Sequence, residues 1–142
     1  MIVSKWPIEL QRQRPFDDVC NGTDCLADAG GLYARINRDG QSFHVFAARL
    51  QSGAENGQTR EDQLRILKAM IDDLEIAADE PVLIGDPLNV DRFADERTGA
   101  FTSMLVILNA VHPPPAKGGS HEPTFAPSEN LLAHGTSTPL TC

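Results

Sequence analysis

The chain has 142 residues, of which 41% are hydrophobic and 23% are charged, as expected for one globular domain with a modest core. Its formal net charge of −8 argues against non-specific binding of nucleic acids, because an acidic surface repels phosphate backbones. No apolar run approaches the ~20 residues that span a bilayer, and the amino terminus lacks a signal-peptide layout, so localisation stays open.

The first thirty residues predict little regular structure. Met1–Ile8 is interpreted as a strand cut off at its start, and the polar, turn-rich stretch Glu9–Gly30 as a long loop. Cys20 and Cys25 lie in that stretch and either pair in an oxidising compartment or remain free thiols.

Two strands joined by a tight turn follow. Apolar residues alternate with polar ones from Leu32 to Asn37, and Asp39-Gly40 is a strong hairpin dipeptide. Ser42–Ala48 predicts the returning strand, with Phe43 and Val45 on one face and His44 and Phe46 on the other. Apolar groups on both faces indicate a central strand, in which His44 is a packed or edge residue rather than a ligand.

The middle of the chain predicts a helix and then a further strand. Apolar residues recur at helical spacing over roughly Arg60–Ala78, preceded by a capping box formed by Thr59 and Asp62. The strand Pro81–Gly85 follows, so the strand–helix–strand order predicts a parallel pair. A second helix is predicted for about Gly99–Asn109, with Phe101, Leu105 and Leu108 facing inward.

Polar groups follow directly on the short apolar strand Pro81–Gly85. Asp86 and Asn89 come immediately after the turn at Gly85, and open α/β proteins usually keep their chemistry at the carboxyl ends of buried strands. Beyond Val111 the chain becomes rich in Pro, Gly, Ser and Thr. We therefore predict a domain at residues 1–111 and a tail at 112–142.

The ordered set of local motifs resembles the C-terminal half of the bacterial neutral sphingomyelinases, which belong to the endonuclease/exonuclease/phosphatase superfamily. The matching segments are Ser4–Ile8, Asp24–Ala27, Gly31–Ile36, His44–Phe46, Leu50-Gln51, Gln63-Leu64, Val82–Asp91, Leu108–Ala110, Pro123–Phe125 and Asn130. The tail is partly family-like at 121–133. The resemblance implies an α/β fold, namely half of a DNase I-like sandwich with a mixed sheet and one or two covering helices.

The resemblance also implies a chemistry. Family members hydrolyse the phosphodiester of sphingomyelin with a divalent cation such as Mg²⁺, and they are typically secreted. A metal and fixed donors stabilise the charge of the pentavalent phosphate, and a base activates the attacking water. In the family, a His after the Val-Phe strand and an Asp-x-Asn at the next strand end act on the phosphate.

This sequence departs from the family pattern at those positions. Arg49 stands at the family's His position, where it can bind phosphate but cannot act as a neutral imidazole. An ungapped match puts Pro87 at the Asp position and keeps Asn89, whereas shifting Asp86 onto that position requires a bulge. Asp86, Asn89 and Arg49 are therefore the candidate catalytic residues, with Arg49 expected to be non-functional.

Further family residues have no counterpart in the sequence. The metal-holding Asn and Glu of the N-terminal half and the C-terminal Asp-His pair are not found, and Ala126 stands where the family often has Asp. No cofactor is assigned from the residues alone, and Mg²⁺ is implied only by the family. The chain is therefore expected to be truncated and degenerate, with little or no phosphodiesterase activity.

Two alternatives stay open at this point. One is an active, metal-dependent phosphodiesterase assembled as a homodimer through an exposed sheet face that includes Ala47, Ala48 and Val82–Ile84. The other is a non-catalytic module that binds lipid or protein, for which sphingomyelin or a membrane surface is the partner that the family implies.

Overall fold

Four strands and two α-helices, joined by turns and short 3₁₀ segments, build the described part of the chain. The computed structural model describes residues 1–27, 29–85, 87–95 and 99–114. The elements are β1 (Ile8–Pro15), β2 (Gly30–Arg38), β3 (Gln41–Ala48), α1 (Gly57–Asp72), β4 (Val82–Gly85) and α2 (Ala100–Leu108). They lie within the unit Met1–Val111. The predicted organisation of the tail at 112–142 lies mostly outside the described residues and stays a prediction.

The four strands form one mixed sheet in the order β1-β2-β3-β4. β1 pairs antiparallel with β2, and β2 pairs antiparallel with β3 around the turn at Asp39-Gly40. β3 pairs parallel with β4, with Val45 opposite Leu83 and Phe46 opposite Ile84. The predicted hairpin, the central position of the Ser42–Ala48 strand and the parallel pair are all confirmed.

The predictions for the first thirty residues are wrong in part. Residues 1–7 contain no strand, and the strand β1 occupies Ile8–Pro15, where a loop was expected. β1 is an edge strand, and most of its side chains are exposed on both faces. Backbone pairing with β2 holds it, so it needs no alternation of apolar residues, and that alternation is the only signal by which sequence periodicity finds a strand.

The helix α1 is displaced relative to its prediction. It begins at Gly57, directly after a 3₁₀ turn, and its N-cap Asn56 makes no side-chain cap hydrogen bond, so the predicted capping box at Thr59 and Asp62 is wrong. It ends at Asp72 rather than Ala78, and Glu75 then adopts a left-handed φ of 46°. Leu74 still packs against the core from this turn, which explains why the apolar spacing continues beyond the helix.

The core lies between one face of the sheet and the two helices. Its buried members are Phe16, Tyr33, Phe46, Ala48, Leu50, Leu64, Leu67, Met70, Met104 and Leu108. The second helix is confirmed at Ala100–Leu108, although Met104, which was not predicted to face inward, is more buried than Phe101 and Leu105. In the described residues, no helix is both long and apolar enough to cross a membrane.

The predicted exposed apolar surface is only partly correct. Ala47 and Ala48 are buried, at 9% and 1% exposure, so they contribute no sticky surface. Ala48 faces the helix-covered core instead. Val82 and Leu83, on the edge strand β4, are 40% and 55% exposed.

A buried polar chain links β2, β3 and the turn before β4. The Tyr33 hydroxyl lies 2.9 Å from His44 Nδ1, and His44 Nε2 donates to the Glu80 carboxylate at 2.9 Å. Burial raises the pKa of Tyr33, so its hydroxyl remains a donor at neutral pH. His44 is a packed residue, as predicted, and the half-buried Glu80 is the partner of its Nε2.

Glu80→Ala is expected to lower the free energy of unfolding by about 1–2 kcal/mol, because it removes the acceptor of a buried imidazole. Asp79→Ala, one position earlier and exposed, is the matched control and should change stability by less than about 0.5 kcal/mol. Urea denaturation of both variants measures the difference. Equal losses in the two variants would show that the link to His44 contributes nothing.

Candidate functional site

The carboxyl ends of the parallel strands β3 and β4 meet at one edge of the sheet. The Leu50 N–H donates to the Pro87 carbonyl at 3.1 Å, and Asn89 Nδ2 donates to the Leu50 carbonyl at 2.5 Å. The segment after β4 is thereby fastened to the segment after β3. Arg49 and Asn89 therefore lie at the same edge of the sheet, whereas Asp86 lies outside the described residues.

Asn89 sits in a strained backbone conformation. Its φ of 49° lies in the left-handed region, which Asn tolerates better than most residues. Its amide nitrogen already donates to Leu50, so part of its hydrogen-bonding capacity holds the two loops together.

Arg49 is exposed, and its guanidinium acts electrostatically on Asp24. The Asp24 carboxylate accepts hydrogen bonds from the Ser52 N–H at 3.0 Å, the Ser52 hydroxyl at 2.9 Å and Gln51 Nε2 at 2.9 Å. The backbone donor of Ser52 is the main cause that lowers the pKa of Asp24, followed by the Ser52 hydroxyl, with a smaller contribution from Arg49. Sequence analysis gave Asp24 no role at this edge.

Asp24 lies inside a short loop closed by a disulfide. Cys20 and Cys25 are bonded, with their Cα atoms 5.2 Å apart, which resolves the alternative that the sequence left open. The Asn21 N–H donates to Gln51 Oε1 at 2.8 Å, and Gln51 Nε2 donates back to the Asn21 carbonyl at 3.1 Å. The backbone of the loop therefore both donates a hydrogen bond to the Gln51 side chain and accepts one from it.

Two buried side chains of α1 hold the same segment from the other side. Gln63 accepts from the Gln51 N–H at 2.7 Å and donates to the Val19 carbonyl at 2.8 Å. Arg60 donates to the carbonyls of Gln51 at 3.2 Å and Gly53 at 2.5 Å. Helical periodicity does not predict these roles, because they depend on tertiary contacts; Gln63 lies in a family-like segment, but the resemblance assigns it no contact.

The described residues at this edge do not fit a magnesium centre. Mg²⁺ prefers several oxygen ligands, carboxylates above all, in near-octahedral geometry. Within the described part of the chain, no group of three or more His, Cys, Asp or Glu side chains could hold a metal ion. Arg49 is a permanent positive charge at this edge, which disfavours a cation further.

Asp24 is expected to titrate below its ordinary value of 3.8, because the folded state donates three hydrogen bonds to its charged form. Because the pKa is lowered in the folded state, these contacts stabilise the folded protein above pH 3.8. The stabilisation is lost as the pH falls through the pKa of Asp24 in the folded state. An NMR titration of the side-chain carboxyl measures this. Ser52→Ala should move the pKa of Asp24 part of the way back, and a wild-type value at or above 3.8 would contradict the assignment.

Comparison with known proteins identifies similar sequences over most of this chain. It is 37% identical over 118 residues to sphingomyelinase C 1 of Leptospira interrogans, covering 80% of this chain and 19% of that relative. It is 32% identical over 140 residues to sphingomyelinase C of Bacillus cereus, covering 93% of this chain and 41% of that relative. No family model matches the chain.

The same similarity appears in three dimensions. A mutant beta toxin of Staphylococcus aureus with bound magnesium ions superimposes with a TM-score of 0.81 at 29% identity, covering 93% of this chain and 45% of that one. The chain therefore spans less than half the length of each of these relatives.

Proposed function

The chain is a partial homologue of the bacterial sphingomyelinases, which have a DNase I-like α/β fold, and from this premise we propose that it is a degenerate sphingomyelinase-like phosphodiesterase domain. In this proposal the 142-residue chain keeps the family scaffold and one phosphate-binding group, but hydrolyses sphingomyelin slowly or not at all.

The observation that supports the proposal most strongly is Arg49 at the end of β3. A guanidinium stays protonated at any pH that proteins experience, so it can donate to a phosphate but can neither accept a proton nor provide a neutral imidazole. Its charged neighbour Asp24 is occupied by hydrogen bonds from Gln51 and Ser52. Arg49 therefore cannot act as a general base for water, and the lowered pKa of Asp24 makes that carboxylate a weak base.

The hydrogen bond made by Asn89 and the lack of a magnesium centre among the described residues support the same proposal. Asn89 Nδ2 is used to fasten the loop to Leu50, and the described residues around it do not form a magnesium centre. Enzyme-catalysed hydrolysis of a phosphodiester needs groups that stabilise the charge of the transition state and also a base that activates water. A single arginine supplies only part of the charge stabilisation.

Purified chain incubated with sphingomyelin vesicles and Mg²⁺ is expected to release no more phosphocholine than buffer alone, because Arg49 and Asn89, the candidate residues that the structure describes, supply no base. The measurement is phosphocholine release over hours. Arg49→His, which restores the family's residue type, is expected to remain inactive, since one imidazole does not supply the metal ligands.

Asn89→Ala is the matched control for that assay. If the wild-type chain turns over sphingomyelin and Asn89→Ala abolishes the turnover, the site is functional and the proposal is wrong. Turnover that is equal in the wild-type chain and Asn89→Ala would indicate a contaminating hydrolase.

A homodimer through the exposed sheet face stays a prediction, as does a non-catalytic module that binds lipid. Val82 and Leu83 on the edge strand β4 are the exposed apolar side chains that would take part in either. Analytical ultracentrifugation distinguishes the two, because a chain that is monomeric at all concentrations excludes the homodimer. Co-sedimentation with sphingomyelin vesicles then tests whether the chain binds lipid.

A further inference from the structure

The disulfide-closed loop is accessible from solvent and is attached to the segment that follows β3. Cys25 is exposed and Cys20 is half-buried, so a small thiol can reach the bond. The loop overlaps a 3₁₀ turn, Gly22–Leu26, that contains Asp24 but no buried side chain. Hydrophobic burial therefore contributes little to the position of this turn, and the covalent link and polar contacts must hold it.

The hydrogen bonds of the loop that involve side chains converge on the segment 51–56. Asp24 accepts from the Ser52 N–H, the Ser52 hydroxyl and Gln51 Nε2. Asn21 exchanges two hydrogen bonds with Gln51 and donates a third from Nδ2 to Asn56 Oδ1 at 2.8 Å. Asn21 and Asp24 lie inside the disulfide ring, each next to one of its cysteines, so the closed ring keeps the two residues near each other.

The helix α1 holds the same segment independently of the loop. The Gln51 N–H donates to Gln63, and Arg60 donates to the carbonyls of Gln51 and Gly53. Neighbouring backbone N–H groups are thus held by two different parts of the protein, the disulfide-closed loop and the helix α1. The Ser52 and Asn21 N–H groups depend on contacts between the loop and the segment, whereas the Gln51 N–H depends on the helix.

We propose that the Cys20–Cys25 disulfide is a redox-sensitive clamp, which through Asp24 and Asn21 sets the position of the segment 51–56 and of the nearby Arg49. A dithiol reductant opens it. One thiolate attacks a sulfur, the S–S bond breaks, both cysteines become thiols, and the reductant leaves as its own disulfide. The opened loop releases Ser52 while α1 retains Gln51, so Arg49 stays attached to the fold but loses its fixed neighbour Asp24.

Amide hydrogen exchange followed by NMR tests the clamp on the full chain, in a Cys142→Ser background that prevents disulfide exchange with the third cysteine. Reduction with dithiothreitol should accelerate exchange of the Ser52 and Asn21 amides by at least about tenfold. The Gln51 and Leu67 amides, which lie on the helix-supported side and in α1, should change by less than about twofold.

Asp24→Ala tests whether the disulfide acts through this carboxylate. In this variant the Ser52 amide should exchange rapidly even when the disulfide is intact, and reduction should add little. Asp24→Asn, which keeps an acceptor but not the charge, should give intermediate protection. Asp79→Ala, at an exposed position before β4 and therefore at the opposite end of the sheet, is the control substitution.

The outcomes are distinct. Selective loss of protection at Ser52 and Asn21 supports the clamp. Unchanged exchange on reduction overturns it, and so does a loss that includes Leu67, because the bond would then stabilise the whole fold rather than position one segment. If reduction affects Ser52 equally in wild type and Asp24→Ala, the disulfide does not act through Asp24.

Discussion

Phe46→Ala is expected to lower the free energy of unfolding by about 3–5 kcal/mol, a large share of what a domain of this size possesses. Phe46 has no exposed surface and lies on β3, where its ring centroid is 4.9 Å from that of Tyr33 on β2. Removing the ring leaves a cavity between the sheet and α1 that the surrounding residues cannot close completely. Denaturation in urea with tryptophan fluorescence or circular dichroism measures the loss.

Phe43→Ala is the matched control for this prediction. Phe43 is on the same strand but on the opposite face, half-buried and opposite Ile36 on β2. Its removal should cost about 1–2 kcal/mol, because it takes away less buried apolar area. Equal costs for the two substitutions would mean that the core is not concentrated on the helix-covered face of the sheet.

Gln63→Leu is expected to cost about 2–4 kcal/mol although the two side chains are similar in size, because one buried and one partly buried backbone group lose their partners. Gln63 is 1% exposed and serves both the Gln51 N–H and the Val19 carbonyl. A leucine there can satisfy neither group. The loss should also appear locally, as faster exchange of the Gln51 amide at temperatures where α1 remains folded.

Gln58→Leu provides the comparison within the same helix. Gln58 is exposed in the first turn of α1 and contacts only Asp62 on that helix among the hydrogen bonds of the described residues. Its replacement should change stability by less than about 0.5 kcal/mol. A Gln63→Leu variant as stable as Gln58→Leu would show that the link between α1, Gln51 and Val19 is not formed.

The parts of the fold that sequence patterns predict are those whose signals are local. The hairpin follows from alternation around Asp39-Gly40, and the parallel pairing of β3 and β4 follows from an intervening helix. The strand β1 was missed because its residues are polar on both faces, and only its partner β2 makes it a strand. The end of α1 was missed because Leu74 packs against the core from a turn, at the same spacing that a helix would give.

The candidate site shows the same difference between residues that have a local sequence signal and residues that are placed by tertiary contacts. The rule that functional groups follow the carboxyl ends of buried strands predicted Asn89, whereas Arg49 was a candidate only through the resemblance to the family. Asp24, Gln51 and Gln63 could not be found in that way, because they are separated by up to 39 residues and converge only through a disulfide loop and a helix face. The resemblance drew attention to the short segments containing these residues, but it did not say what they hold.

Phosphocholine release from sphingomyelin by the purified 142-residue chain, measured with saturating Mg²⁺ and a bacterial sphingomyelinase as positive control, tests the central claim most directly. The account predicts a rate that cannot be distinguished from the rate without protein, at chain concentrations up to the micromolar range. A steady rate that scales with chain concentration, requires Mg²⁺ and disappears in Asn89→Ala would contradict it.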